Sequence, residues 1–450
     1  MSFFTTIVVG FVLFVLLLHA VEKRASITKK KYVFLSLIMW NFELFISKRL
    51  VASKKYKSSI SAPIIKIGVI AIALGVIVML ISIATGVGLQ KKIREKVSGF
   101  NGHIQIVNYD NNNSQVSVKP ISTHQDFYPV FNSVEGIHNV QVFSQKAGII
   151  KTETDFEGIV VKGVGQDYNW SFFEDYLVQG NLPTYTDKRS DAIIISQSLA
   201  DKLQFKVGDQ ATFWFVKNDP KKIPNIRKWT ISGIYNSGFP DFDDTYILAD
   251  IKHIQRLNKW QKDEVGGFEI LVDDFDRIDI VAEQVRDNLP PTLNSYSIKR
   301  KFPLIFEWIA LFDSNIIAII FLMLLVSGFN MITVLLVLIL ERTQMIGLLK
   351  ALGNTNWSIR KIFLYQASYL VINGLLWGNL IGLSLLFAQK YFGLISLDPE
   401  TYYVSQAPVH IDFLQILLLN AGVVILTFIL LMLPSYFITK ISPAKAIKFE

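Results

Sequence analysis

The chain contains no cysteine among its 450 residues. That absence excludes disulfide bonds, thiol catalysis, cysteine-based zinc sites and iron–sulfur clusters, as well as a lipid anchor attached to cysteine. Charged residues are scarce, at 18%, whereas 51% of the residues are hydrophobic. Few soluble proteins are this apolar, so the composition indicates a membrane protein.

Motifs for catalysis, metal binding and nucleotide binding are also missing. The six histidines are scattered without ligand spacing, and neither an H-E-x-x-H nor a G-x-x-x-x-G-K-[ST] motif occurs. The acidic segment Gly238–Asp244 (GFPDFDD) lacks the calcium-loop pattern and is interpreted as a turn. The apolar runs carry no ionisable residue near their middle, so ion-coupled transport is not indicated. We therefore expect no catalytic residue, cofactor or metal in this chain.

Four apolar runs are long enough to cross a bilayer, which takes about 20 helical residues. We assign them to residues 63–90, 311–341, 362–390 and 412–438. Residues 91–310 differ, because apolar and polar positions alternate in HIQIV, DAIIIS, ATFWFV, KWTISGIY and FEILVDD, with turn residues between them. This alternation predicts short strands. The predicted fold is a polytopic α-helical membrane protein with four core transmembrane helices and a large α+β domain inserted between the first two.

Basic residues collect beside the apolar runs. Residues 22–66 hold 11 basic and two acidic residues, whereas 91–307 holds 26 basic and 29 acidic ones. Segment 341–361 has four basic residues and one acidic residue, and 391–411 has no lysine or arginine. By the positive-inside rule, the inserted domain and the 391–411 loop are external, while the 342–361 segment and the 439–450 tail are cytoplasmic. This placement indicates membrane orientation and argues against a nucleic-acid surface.

The first 38 residues leave two interpretations open. FFTTIVVGFVLFVLLLHA is apolar, but EKRASITKKKY follows it, which reverses the charge order of a signal peptide. The segment is either a fifth transmembrane helix with an external N terminus or an upstream extension of a protein that begins near Met39. Residues 39–62 then mix aromatic, aliphatic and basic side chains. That mixture predicts an interfacial amphipathic helix, with a solvated basic linker as the alternative.

Small residues form one stripe along the first apolar run. They recur at steps of four, three, four and four residues, at Ala71, Gly75, Val78, Ser82 and Gly86. Such a stripe lets two helix backbones approach closely. It predicts either packing within the subunit or a face that meets another subunit or a substrate cavity.

A short helix is predicted between the second and third runs, in ERTQMIGLLKALGNTNWSIRKIF (341–363). One side of it is apolar, formed by Met345, Ile346, Leu348, Leu349 and Leu352. Polar contacts are available from Glu341, Arg342 and Lys350, and Gly353 with Asn354 ends the helix. Apolar residues at a water-facing site predict docking of a cytoplasmic partner, since a simple connector does not need them.

The segment ERTQMIGLLKALGNTNWSIRKIFLYQA resembles the coupling segment of the FtsX/MacB-type (mechanotransmitting) ABC transporter permeases. The closing LPSYFITKISPAKAIKFE resembles their C-terminal tail. More narrowly, FELFISKRL, ISAPIIKIGVIAIALGVIVMLISIATGVGLQKKIREKVSGFNGHIQI and GIYNSGFPDFDDTYILAD resemble the lipoprotein-releasing permeases of the LolC/LolE type. The resemblance covers residues 41–450.

This resemblance implies a permease subunit that is not itself an enzyme. It implies that ATP hydrolysis by a separate ATPase, with ATP and Mg in that partner, drives extraction of lipoproteins from the bacterial inner membrane toward a periplasmic carrier chaperone. It also implies a second permease copy or a paralogue, and a distal β-rich part of the periplasmic domain at about 150–235. The implied ATPase contacts are Glu341, Met345, Ile346, Leu349, Lys350 and Gly353. The small-residue stripe would border the substrate cavity.

Other functions are weighed beside lipoprotein release. A MacB-like efflux permease for peptides or drugs usually carries its own ATPase domain, which this sequence does not show. An FtsX-like regulator of cell-wall hydrolases typically has a smaller external domain. A membrane enzyme would need a catalytic constellation, and the sequence offers none.

Overall fold

The computed structural model describes residues 42–50, 61–111, 116–216 and 223–442. The span or extension predicted for 1–38 lies outside these residues, as do the tail from 443 onward and parts of the predicted interfacial segment, of which 42–50 is helical.

The chain divides into two units. The helical unit contains the described residues up to Leu80, together with 319–384 and 412–442. The inserted unit contains residues 81–318 and 385–411. Each unit is described by its own contacts below.

The described helices are numbered here in chain order. They are α1 (42–50), α2 (Ser61–Asn101), α3 (Ser171–Tyr176), α4 (Gln197–Leu203), α5 (Pro240–Asp243), α6 (Ile251–Asn258), α7 (Ile278–Asp287), α8 (Ile298–Lys301), α9 (Pro303–Glu341), α10 (Thr343–Ala351), α11 (Asn356–Phe392), α12 (Pro399–Tyr402), α13 (Phe413–Ser435) and α14 (Phe437–Lys440). Single 3₁₀ turns occupy Tyr109–Asn111 and Phe275–Arg277.

Four membrane-length helices follow the four predicted apolar runs. Among the described residues, α2, α9, α11 and the α13–α14 pair are long and apolar enough to cross a bilayer. The fold prediction of four apolar helices is therefore confirmed. Helix α2 has 41 residues. At 1.5 Å per residue it is roughly 60 Å long, about twice the thickness of a bilayer hydrocarbon core. Its last turns therefore belong to the inserted unit.

The inserted unit is built on a ten-stranded mixed sheet. Its strands are β1 (Ile104–Asn108), β3 (Ile137–Lys151), β4 (Phe156–Val164), β5 (Leu177–Gly180), β6 (Ala192–Ser196), β7 (Gln210–Phe215), β8 (Asn225–Tyr235), β9 (Tyr246–Asp250), β11 (Gly267–Val272) and β12 (Leu293–Ser297). A separate two-stranded sheet pairs β2 (Ile121–Ser122) with β10 (Glu264–Val265). All five segments predicted as strands from alternation form strands.

The sheet order is β12-β1-β11-β3-β4-β9-β6-β8-β5, and β7 pairs with β3 and β8. Pairs β4–β9 and β6–β8 are parallel, while the other strands pair antiparallel. Shifting a strand by one residue would move all of its side chains to the opposite face of the sheet. Buried and less buried residues alternate along β7 and β8, and this alternation fixes the register in which the two strands pair.

The end of α2 is buried in the core of the inserted unit. Ile93, Val97 and Phe100 are fully buried there, at a spacing that places them on one helix face. The ring of Phe100 stacks on Phe242, with centroids 4.8 Å apart. The last turns of α2 are therefore anchored to the sheet by apolar packing.

The acidic segment Gly238–Asp244 forms a turn that closes with the single helical turn α5. Asp243 is buried and accepts hydrogen bonds from Ser237 Oγ at 2.6 Å and from the Gly238 backbone N–H at 3.0 Å. These hydrogen bonds from the buried Asp243 carboxylate hold the turn together, which explains the acidic residue at that position.

Candidate functional site

Helix α10 lies between two membrane-length helices, where the sequence predicts a docking helix. It begins at Thr343, and only Arg342 separates it from Glu341 at the end of α9. Gly353 has a φ of +87°, a conformation that glycine adopts without strain. The Asn354 backbone N–H donates to the Leu349 carbonyl at 3.0 Å and closes the helix end. The predicted stop at Gly353 and Asn354 is therefore confirmed.

The residues of α10 differ in how they are exposed. Ile346 is fully buried, whereas Met345 and Leu349 are half-buried. The most exposed apolar residues are Leu348, at 55%, and Leu352, at 75%. Since these two are four residues apart, they lie on the same face of the helix. That face is the apolar surface of α10 that the described part of the chain leaves uncovered.

Lys350 holds α10 to the end of the last membrane-length helix. Its ammonium donates to the carbonyl oxygens of Ile438 at 2.7 Å, Thr439 at 3.2 Å and Ile441 at 2.8 Å. The last carbonyls of a helix have no partner within it and carry partial negative charge. One lysine therefore caps α14 and ties it to α10, a role that no local sequence pattern indicates.

Two further polar contacts fix the start of α11. Arg360 Nε donates to Ser435 Oγ at 3.1 Å, which joins α11 to α13. Ser358 Oγ donates to Glu43 Oε1 at 2.9 Å, and both side chains are buried. Helix α1, predicted from its basic and aromatic pattern alone, is thus bonded to α11 through its one acidic residue.

Two members of the small-residue stripe of α2 pack against α9. A Cβ added to Gly75 would lie 2.6 Å from Ser327 Oγ, and one added to Gly86 would lie 2.5 Å from Ile316 Cδ1. Ala71 and Ser82 are half-buried, and Val78 is 37% exposed. Close helix packing therefore accounts for the two glycines.

A second glycine stripe, which our sequence analysis missed, lies on α11. Gly374, Gly378 and Gly382 recur every four residues. An added Cβ would lie 2.7 Å from Ile72 Cβ, 2.8 Å from Val76 Cβ and 3.0 Å from Leu80 Cδ1, respectively. The small-x-x-x-small pattern was the available signal, and it lets α11 and α2 meet closely.

Helices α11 and α13 are joined by a pair of asparagines. Asn379 Nδ2 donates to Asn420 Oδ1 at 2.6 Å, and Asn420 Nδ2 donates back to Asn379 Oδ1 at 3.0 Å. Amides within apolar helices need partners, and here each satisfies the other. The pair specifies the register of the two helices.

A buried polar cluster, which we call the joint, holds the end of α2 on the sheet. Lys162 of β4 and Glu269 of β11 form an ion pair at 2.8 Å with both side chains fully buried. Lys162 Nζ also donates to the Phe100 carbonyl of α2 at 2.6 Å. Burial lowers the pKa of Lys162. The neighbouring Glu269 carboxylate acts in the opposite direction, because it stabilises the charged ammonium.

Glutamines and a second lysine complete the joint. Glu269 accepts from Gln105 Nε2 at 3.2 Å and from Gln141 Nε2 at 3.0 Å. Lys301 Nζ donates to Gln105 Oε1 at 2.7 Å and to Asn101 Oδ1 at 3.2 Å. Burial lowers the pKa of Lys301 to about 8. Strands β1, β3, β4 and β11 are thereby bonded to the last turn of α2.

Two known protein families match consecutive parts of the chain. The model of the MacB-like periplasmic core domain matches residues 67–288, and that of the FtsX-like permease C-terminal domain matches residues 317–443. The resemblance drawn from the sequence is therefore confirmed.

Curated relatives match along most of the chain. The lipoprotein-releasing system transmembrane protein LolC of Neisseria meningitidis is 22% identical over 92% of this chain and all of its own length. LolE of Haemophilus influenzae is 21% identical over 90% of this chain and 99% of its own length. Among solved structures, the periplasmic region of MacB from Actinobacillus actinomycetemcomitans is 12% identical and covers 45% of this chain and 92% of its own, with a TM-score of 0.31.

Proposed function

Because the chain is a member of the FtsX/MacB permease superfamily, we propose that it is the permease subunit of a lipoprotein-releasing ABC transporter in the bacterial inner membrane. It couples ATP hydrolysis by a separate ATPase, which binds ATP and Mg, to extraction of lipoproteins toward a periplasmic carrier. The observation that carries this proposal is the match to curated lipoprotein-releasing permeases over 92% of the chain. That match includes both the inserted domain and the helices.

The proposed ATPase surface is the uncovered face of α10. Leu348 and Leu352 present exposed apolar area there, and Glu341 is exposed at the end of α9. Apolar side chains in such a position favour a protein partner over water. Ile346, fully buried, instead packs α10 onto its own chain. We therefore assign contact to the exposed residues and positioning to Ile346.

Lys350 is assigned to positioning as well. Its ammonium is bonded to three carbonyls at the end of α14, the nearest at 2.7 Å. A push on α10 by the ATPase is passed to α13 through this contact. Gly353 lets the chain turn from α10 toward α11, so that motion of α10 also reaches α11.

Motion driven by ATP hydrolysis is proposed to reach the inserted unit through α2. This helix is continuous from Ser61 to Asn101, and its last turn is bonded into the joint. A continuous helix transmits axial and bending motion without a hinge. The joint ties that helix to four strands, so the sheet moves with it.

The lipoprotein is proposed to meet the exposed side of α2. Gly75 and Gly86 pack against α9, whereas Val78 is the exposed residue of the stripe. Leu74 is also exposed, at 55%. A second permease, either another copy of this chain or a paralogue, is expected to form the other wall of the substrate cavity.

The coupling assignment is tested with Leu348→Asp/Leu352→Asp in the permease reconstituted with its ATPase. We expect permease-stimulated ATP hydrolysis to be lost while membrane insertion is retained, because two carboxylates replace the apolar contact. Ile223→Asp is the matched control, since Ile223 is 79% exposed in the inserted unit. Stimulation at the wild-type level in the double variant would refute the docking surface.

A further inference from the structure

A cavity of about 810 Å³ opens in the inserted unit where the apolar parts of two helices, α2 and α11, end. Before the lysines of this cavity, the last apolar residue is Leu89 on α2 and Ala388 on α11. The walls come from residues 88–96, 175–178, 236–238 and 389–410. A cavity of this size is in the range that binds organic ligands.

Lysines dominate the charge of this cavity. Four of them line it, Lys91, Lys92, Lys96 and Lys390, against the two carboxylates of Glu95 and Asp175. The excess of positive charge favours an anionic ligand.

The lysines have different roles. Lys92 pairs with Glu95 at 2.9 Å, and Lys91 Nζ lies 2.8 Å from His410 Nε2. Lys96 is buried and donates to the carbonyls of Gly238 at 3.3 Å and Tyr403 at 2.9 Å. Lys96 therefore braces the walls, while the exposed ammonium groups of Lys91 and Lys390 are the ones available to a ligand.

The walls of the cavity are held by the chain itself. A Cβ added to Gly88 would lie 2.6 Å from the Pro408 carbonyl oxygen, so the 408–410 backbone packs directly on α2. The His410 backbone N–H donates to the Ala84 carbonyl at 3.0 Å. Buried Gln389 donates to the carbonyls of Ile395 and Ala407 and accepts from the Ile395 N–H at 2.8 Å. The site is thus preformed.

We propose that this cavity binds the phosphodiester headgroup of an anionic membrane phospholipid. Lysine ammonium groups suit a phosphate, and their position just beyond two apolar runs is where a headgroup lies in a bilayer. Val178, which also lines the cavity, is 53% exposed and offers an apolar surface to the lipid beside its headgroup. This site goes beyond the proposed function, because it binds a lipid of the membrane whatever cargo the permease moves.

The test measures binding of a short-chain phosphatidylglycerol to the delipidated full chain in neutral detergent, by titration calorimetry. A basic residue near a membrane surface contributes about fivefold in affinity to an anionic lipid, so Lys91→Gln/Lys390→Gln should weaken binding about 25-fold. Lys228→Gln/Lys262→Gln is the matched control, since both lysines are exposed in the inserted unit away from the cavity, and it should bind as wild type. Lys390→Gln alone, expected to weaken binding about fivefold, serves if the double variant is unstable.

Three further probes separate the sources of the anion. Diacylglycerol, which lacks the phosphate, should not compete, and added salt should weaken phosphatidylglycerol binding. Inorganic phosphate binding as tightly as the lipid would overturn the headgroup assignment in favour of a free-anion site. Equal affinity of wild type and the Lys91/Lys390 variant would overturn the cavity itself. None of these measurements uses the ATPase or a lipoprotein, so their failure leaves the transport proposal separately testable.

Discussion

Lys162→Met removes the ammonium of the joint and leaves the Glu269 carboxylate in the core. Both side chains of the pair are fully buried, so water does not replace the lost partner. Removing one partner of a buried ion pair costs about 3–5 kcal/mol, mostly because the remaining charge is uncompensated. We expect that loss in the stability of the inserted unit. Glu269→Gln should cost a similar amount, because it leaves the Lys162 ammonium without its counter-ion.

The double variant Lys162→Met/Glu269→Gln has neither charge of the pair. Its new amide oxygen can still accept from Gln105 or Gln141, and Lys301 keeps its bonds to Gln105 and Asn101. The double variant should therefore be more stable than the sum of the two single changes predicts, by at least about 2 kcal/mol.

The assay is hydrogen–deuterium exchange of the full-length protein in detergent, read in peptides that cover β1 and β11. A loss of about 3–5 kcal/mol lowers amide protection by roughly two to four orders of magnitude. Lys228→Met, an exposed change in β8 of the same sheet, is the control and should keep wild-type protection. Wild-type protection in Lys162→Met, or a double variant as unstable as the sum of the single variants, would refute the reasoning.

Three shorter predictions concern the helices and the pH response. Lys350→Met should lower permease-stimulated ATP hydrolysis in proteoliposomes by at least about tenfold, since a charged hydrogen bond contributes about 1.5–3 kcal/mol, while Lys350→Arg should retain more activity. Gly378→Leu drives a side chain into Val76 and should abolish the monodisperse permease peak in gel filtration. Gly422→Leu should not, because among the described residues nothing lies within 4 Å of a Cβ added there. Burial lowers the pKa of His103 from 6.5 to about 4, so folding favours its neutral form and stability is lost as the pH falls below 6.5. The wild type should lose ~2 kcal/mol of urea-unfolding stability between pH 7 and 5, and His103→Asn should lose measurably less; equal slopes would contradict this.

The sequence was sufficient to predict the four apolar helices, because a bilayer demands long apolar runs whatever the tertiary fold. Strands such as Gln210–Phe215 were equally visible, since alternation reports a sheet with a buried face. The end of α10 at Gly353 followed from local chemistry, because a positive φ favours glycine. These features depend on residues that are close in the sequence, or on the lipid or water that surrounds the chain.

Which side of α10 is buried could not be predicted from its sequence. Ile346 and Leu348 are both apolar and two residues apart, yet one is fully buried and the other is 55% exposed. The difference arises from packing against distant segments of the chain. For the same reason the sequence suggests only a surface cation at Lys350, because its hydrogen-bond partners lie 88 to 91 residues further along the chain.

The joint lay beyond sequence reasoning for a related reason. Lys162 and Glu269 are 107 residues apart in the sequence. Each lies in a strand whose pattern gives no sign of a buried ion pair. A buried lysine cannot be told from an exposed one in a single sequence, since both occupy one position of an alternating strand. By contrast, the glycines of α11 were visible at a spacing of four, and only their partner on α2 required the structure.

The most direct test of the proposed function is to deplete this protein in its own cells and follow lipoproteins through membrane fractionation. We predict that lipoproteins destined for the outer membrane accumulate in the inner membrane while their outer-membrane pool falls. Restoration by the wild-type chain, but not by Leu348→Asp/Leu352→Asp, would tie that retention to coupling through α10. Normal sorting of lipoproteins after depletion would contradict the account and shift it to efflux or to control of cell-wall hydrolases, which drug sensitivity and cell-separation defects then distinguish.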